Sequence, residues 1–156
     1  MELSKHVALV AHDNCKQDLV EWVEWNWQEL INHQLICTGT TGKLVEQALT
    51  KSMGPKDAMK HGIIKLKSGP FGGDQQLGAM IAEGRIDILI FFWDPMQPHP
   101  HDVDVKALLR ISVLYNIPTA CNRSSADFII SSHLMNEPYK QKLTDYSAYI
   151  DRTLPS

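Results

Sequence analysis

Two short blocks in this chain combine residue types suited to holding an anion. Thr38-Gly39-Thr40-Thr41-Gly42 stands at a helix start. There, free backbone N–H groups and the helix dipole favour negative charge, hydroxyls add donors, and glycine permits close approach of the backbone. Ser68-Gly69 offers the same combination at the next strand end. Ordinary N-capping explains either block alone; two blocks on neighbouring strand ends point to phosphate. Neither matches the Walker pattern or G-x-G-x-x-G, so the nucleotide signatures are absent. Lys16, one turn into the first helix and just after His12-Asp13, can add positive charge.

Reactive groups lie close by in sequence. In Gly72-Gly73-Asp74-Gln75-Gln76 an acid stands where a flexible loop turns into a helix. That position suits a capping side chain, and it suits a general base. A helix N-terminus lowers a carboxylate pKa while desolvation raises it, so the two settings pull apart. His99, His101, Asp102 and Asp104 follow Asp94 on a proline-broken segment. A metal would need a clear third and fourth ligand at standard spacing, and none stands nearby. A catalytic or substrate-orienting histidine suits this segment better. Cys15, in the first turn of a helix, reads most simply as an inert buried thiol.

These groups need a scaffold that gathers them at one edge. Val7–Val10, Leu35–Cys37, Ile63–Leu66, Ile86–Trp93 and Ile117–Cys121 read as strands, the fourth as the central one because its Ile, Leu and Phe suit burial on both faces. Helical periodicity fills the intervals: Asp13, as a cap, to about Asn32; a short helix at Leu44–Leu49; Gln75–Glu83 with Gly84 as the stop; Val103–Tyr115; and Ser124–Ile130. The segment Lys51–Lys60 reads as a loop and the tail to Arg152 as helical. Strand and helix alternate throughout. The expectation is a single three-layer, doubly wound α/β domain over residues 1–156, with a mainly parallel sheet of about five strands. Ligands bind such sheets outside the carboxyl ends of the strands, where His12, Thr38, Ser68, Asp94 and Asn122 all fall. One shared pocket is the expectation. Trp22 and Trp25 lie off the Leu19–Val23–Trp27 stripe, so either that helix is deeply covered or, the preferred reading, their rings pack at a subunit interface.

Composition narrows the classes. A chain of 156 residues, 44% hydrophobic and 21% charged, can bury a sizeable core without disulfides or a structural metal. Its net charge of −3 gives no general attraction to nucleic acid or an acidic membrane, so any anion site must be local. Three separated cysteines without C-x-x-C spacing suit a reducing cytoplasm. No signal peptide precedes Val7, and the longest apolar run, Ile88–Trp93, is too short to span a bilayer.

Taken in order, Val-Ala-His12-Asp13-Asn-Cys-Lys16, Thr38-Gly-Thr-Thr-Gly42, Ser68-Gly-Pro-Phe-Gly-Gly-Asp74-Gln-Gln, Phe-Phe-Trp-Asp94-Pro and Pro-His101-Asp-Val-Asp104-Val-Lys-Ala-Leu-Leu-Arg110 closely resemble the methylglyoxal synthase family. The resemblance runs from about His6 to Arg152. It implies a cytoplasmic homohexamer that converts dihydroxyacetone phosphate to methylglyoxal and inorganic phosphate, with no metal or organic cofactor and with phosphate as inhibitor. Asp74 matches the family's base. His12, Lys16, Thr38, Gly39, Thr40, Thr41, Ser68 and Gly69 match substrate- and phosphate-binding positions. His101 matches the histidine near the substrate oxygens, Asp94 and Asp104 the other active-site acids, and Arg152 a tail arginine linked to the site. Two features depart from the family: the stretch between Gly42 and Ser68 is longer, and Phe71 stands where methionine is common. The readings set against it are a triose-phosphate isomerase-like enzyme and a non-catalytic effector-binding module.

Overall fold

The computed structural model describes residues 1–54 and 62–150. Five parallel strands, β1 (His6–Ala11), β2 (Gln34–Cys37), β3 (Ile63–Lys65), β4 (Ile88–Phe92) and β5 (Thr119–Ala120), form one sheet in the order β3-β2-β1-β4-β5. The middle strand is therefore β1. The long apolar β4 is its neighbour, covered on both faces like the centre but one place away from it. Both edge strands are short. Pro118 has no N–H to donate, which confines β5 to less than its apolar run suggested.

Helices α1 (Lys16–Leu30), α2 (Thr41–Met53), α3 (Gly73–Ala82), α4 (Asp102–Leu114) and α5 (Arg123–Ile130) link and cover the strands. The period-two alternation of strand side chains splits the core in two. Val7, Leu9, Leu35, Cys37, Ile88, Ile90 and Phe92 pack with residues of α1, α2 and α5 on one face. Ala8, Val10, Ile36, Leu89 and Phe91 pack with α3 and α4 on the other. This is the three-layer, doubly wound arrangement expected from the alternation of elements.

Several local expectations are corrected. Asp13 does not cap α1: residues Asp13–Cys15 form a short 3-10 turn, and the Asp13 carboxylate accepts from Lys16 Nζ instead. Trp22 is buried within the chain rather than at a subunit interface, with Nε1 donating to Asp127 Oδ1 of α5 at 2.9 Å. Trp25, by contrast, is 85% exposed. The tail is mostly not helical. After a 3-10 turn at His133–Asn136 it runs irregularly to α6 (Ser147–Ile150). Pro138 and the polar run that follows it lack the periodic apolar face that a packed helix needs. Buried Lys5 instead ties the tail to the N-terminus, donating to the carbonyls of Glu2 and Glu137, while Tyr139 N–H donates to the Met1 carbonyl. The loop expected over Lys51–Lys60 begins later, because α2 continues through Met53 and ends at Gly54 (φ +84°); the remainder of that stretch, and Arg152, lie outside the described residues.

Trp22 joins α1, α5 and Phe92 in one contact, with its ring 6.1 Å from that of Phe92. Trp22→Ala is expected to lower unfolding free energy by about 3–5 kcal/mol, measured by denaturant titration, and Trp22→Phe by clearly less.

Candidate active site

The strand order reverses direction between β1 and β4, which is where open parallel sheets bind ligands. The first residues past these two strands are joined. His12 N–H donates to the Phe92 carbonyl at 3.1 Å, and Asp94 N–H donates to His12 Nδ1 at 3.1 Å. Since Nδ1 accepts, the proton of neutral His12 sits on Nε2, which is buried and without a protein partner. Burial first, then the neighbouring His99 and His101, push the His12 pKa down to about 4. Near neutral pH this ring is an uncharged donor.

An open cavity of about 250 Å³ lies over this junction. Val10, Ala11, His12, Asp13 and Lys16 contribute from the end of β1, and Thr38, Gly39, Thr40 and Thr41 from the end of β2. Ser68, Gly69, Pro70 and Asp74 come from the segment after β3, and Phe91, His99, Pro100 and His101 from β4 and beyond it. The two small-residue loops meet through glycine. Gly39 has φ +50°, and a Cβ there would stand 2.8 Å from Ser68 Cβ. Its N–H donates to the Leu66 and Lys67 carbonyls, at 3.3 and 3.2 Å. Gly73 is more constrained still, since a Cβ would lie 2.1 Å from the Lys67 carbonyl oxygen. These contacts are possible only between glycine and its neighbours.

Asp74 occupies the first turn of α3 but caps nothing: no side-chain cap bond is made there. The carboxylate is 2% exposed, and its Oδ2 has no hydrogen-bond partner. His101 Nε2 faces that oxygen at 3.6 Å, too far for a hydrogen bond but close for an electrostatic contact. Burial raises the Asp74 pKa, His101 opposes the rise, and Asp104 adds to it. The competition left open by the sequence is thus resolved in favour of desolvation. Gly69 lies against the pair, where a Cβ would sit 2.8 Å from His101 Nε2 and 3.1 Å from Asp74 Oδ2.

Lys16 Nζ is held between Asp13 Oδ1 and Thr40 Oγ1, each at 2.6 Å, so one ammonium stands at the mouth of the Thr38–Thr41 loop. Asp94 and Asp104 are not among the residues lining the cavity. Asp94 lies behind His12, its carboxylate accepting from Asn14 Nδ2 and Met96 N–H, both at 2.9 Å, which holds its pKa down. Asp104 reaches the site through its field on Asp74. Asp13, as partner of Lys16, and the ring of His99 over His12 add to the set expected from sequence. The proximity of Asp13 to Lys16 at i,i+3 was the available signal for the first. Burial pushes the Cys15 thiol up, so it is not an activated nucleophile. Among the described residues no group of three or more His, Cys, Asp or Glu is arranged to hold a metal ion.

A family model described as an MGS-like domain matches residues 18–121. A methylglyoxal synthase from Maridesulfovibrio salexigens is 55% identical, with 99% of this chain and 100% of the relative covered. One from Oleidesulfovibrio alaskensis is 52% identical over 97% of each chain. The crystal structure of methylglyoxal synthase from Elizabethkingia anophelis NUHP1 superposes with a TM-score of 0.87 at 48% identity, covering 99% of this chain and 95% of that one. The match takes in nearly the whole length, including every strand that feeds the cavity. The chain belongs to the methylglyoxal synthase family.

Proposed function

We infer that the chain converts dihydroxyacetone phosphate into methylglyoxal and inorganic phosphate. The observation that carries this reading is the buried, unpartnered Asp74 Oδ2 beside His101, in a cavity also lined by the Thr38–Thr41 loop and Ser68. Such a base suits proton removal next to a carbonyl, and such loops suit the phosphate at the other end of a three-carbon substrate.

In this reading Asp74 takes a proton from the hydroxymethyl carbon, and the electron pair moves to the ketone oxygen to give an enediolate. His12, through Nε2–H, and His101 donate to the oxygens where charge develops, an interaction stronger in the transition state than in the ground state. The hydroxyl on the former hydroxymethyl carbon then passes its proton to the departing phosphate, and its oxygen becomes the aldehyde oxygen. The double bond shifts toward the phosphate-bearing carbon, and inorganic phosphate leaves with the electron pair of the broken C–O bond. The remaining enolate takes a proton at carbon, returned from Asp74, and becomes methylglyoxal. Lys16, Thr38, Gly39, Thr40, Thr41, Ser68 and Gly69 hold the phosphate so that its bond aligns for elimination. Asp94 orients His12 through its backbone N–H, and Asp104 helps set the basicity of Asp74.

The same reading extends to a cytoplasmic homohexamer built from one domain over residues 1–156, serving as a bypass of lower glycolysis. Inorganic phosphate would compete for the loops, and Arg152 would join the site from the tail. The exposed rings of Trp25 and Phe128, on α1 and α5, offer an apolar face for that assembly.

Asp74→Asn is expected to retain phosphate binding by calorimetry while methylglyoxal formation falls by about 10²–10⁴-fold. Near-normal turnover would remove Asp74 as the base. Gly69→Ala, which puts a methyl group between His101 and Asp74, is expected to abolish turnover with little change in unfolding midpoint. The base must be ionised, so kcat/KM should fall as pH drops through an Asp74 pKa raised above the ordinary carboxylate value. His12 contributes a further loss only near its own pKa of about 4. An acid limb that persists unchanged in the residual activity of Asp74→Asn would assign it to another group.

A further inference from the structure

Three imidazoles stand together in the cavity wall. The ring centroids of His12 and His99 are 3.8 Å apart with planes tilted by 32°; His99 and His101 are 5.5 Å apart, and His12 and His101 5.6 Å. The mechanism above uses His12 and His101 and leaves His99 without a role. Yet His99 is held in place from behind. Its backbone N–H donates to Asp102 Oδ2 at 3.2 Å, and the Asp102 backbone N–H donates back to the His99 carbonyl at 3.2 Å. Prolines at 98 and 100 stiffen the backbone on either side. Its Nε2 is buried without a partner, and its ring lies over the face of His12. Phe91 meets His12 edge-on at 5.1 Å, so one imidazole is enclosed between two aromatic rings.

We propose that His99 is a positioning residue, whose ring shields His12 from water and holds it as a neutral Nε2–H donor toward the substrate. Two stacked imidazoles in contact cannot both carry a proton without strong repulsion, and a covered ring loses the hydration that an imidazolium needs. The groups facing His12 include both signs. His99 and His101 oppose its protonation, while Asp94 and Asp102 favour it, and Asp13 lies near both His12 and His99. The direction agrees, since burial and then His99 are the largest causes of the low His12 pKa. The positioning role rests on the reading of His12 as a substrate donor, but its physical core, the shielding of one ring by another, can be measured separately.

The test uses the full chain with His99→Ala, which removes the cover, and His99→Phe, which keeps an aromatic face without a titrating group. His12 is followed by NMR titration of the imidazoles, and kcat and KM are measured from pH 4 to 8. In His99→Ala the His12 pKa is expected to rise by about one unit or more toward 6.5, with kcat little changed at pH 8 and, for a full rise, falling about 4-fold at pH 6 and about 10-fold at pH 5.5, KM changing less. His99→Phe is expected to restore most of both the low pKa and kcat. An unmoved His12 titration in His99→Ala overturns the proposal, as does a Phe variant no better than Ala. If His99→Ala does not fold, the comparison of His99→Phe with His99→Gln decides on the same readouts. His12→Gln separates the two ideas: full activity there would remove His12 as a donor while leaving the effect of His99 on the His12 titration intact.

Discussion

The hydrogen bond from Asp94 N–H to His12 Nδ1 fixes what the remainder of the site can do. It joins the chain just beyond β1 to the chain just beyond β4, the two strands that meet where the sheet order reverses. Because it is made by a backbone donor, it holds whatever the protonation state of neighbouring side chains. It selects one tautomer of His12 and directs the remaining N–H into the cavity. The other loops then have a defined target. The ends of β2 and β3 close in from one side through glycine contacts, and the segment leading to α4 brings His99 and His101 from the other.

Charge is managed locally. The chain carries a net charge of −3, yet the site is read as holding a phosphate beside a carboxylate that must ionise. One ammonium at the cavity mouth, hydroxyls and backbone N–H groups supply the attraction without neutralising Asp74. Asp74 is buried and its free oxygen makes no hydrogen bond, so it remains basic despite His101 3.6 Å away. Asp94 is hydrogen-bonded twice and loses basicity. The two acids lie in one chain near one ring system, and their surroundings separate them into a desolvated carboxylate with a raised pKa and a hydrogen-bonded structural anchor.

Much of this was legible in the order of residue types. Strand and helix alternated clearly enough to predict a doubly wound sheet, and each strand discharged polar residues at the same edge. Cavity-lining positions His12, Lys16, Thr38, Ser68, Gly69, Asp74 and His101 all belonged to the expected set. What escaped depended on contacts between segments distant in sequence. Asp13 looks like a cap until Lys16 is seen to capture its carboxylate. Trp22 looks surplus on its own helix until Asp127, 105 residues away, accepts from its ring nitrogen. The ring of His99 gains meaning only when β4 delivers it over His12. The periodicity of a segment says nothing about such partners, and the irregular tail held by Lys5 carries little periodicity at all.

The cavity also has unequal freedom to change. Its side formed by Gly39, Gly69 and Gly73 is closed to variation, because each position is pressed against the carbonyl, hydroxymethyl or imidazole atoms opposite it. A larger residue at Gly39 or Gly73 must move backbone opposite it, and one at Gly69 must displace the side chains of His101 and Asp74. The segment from Trp93 to His101 is different: Pro95, Met96, Gln97 and Pro98 are exposed, and Met96 is 83% so. Side chains at these four positions can be exchanged without disturbing the sheet or the bonds of Asp94. An evolving sequence can therefore adjust which group roofs His12 while the glycine-packed loops stay as they are, and new rate or pH behaviour has one accessible direction from which to arise.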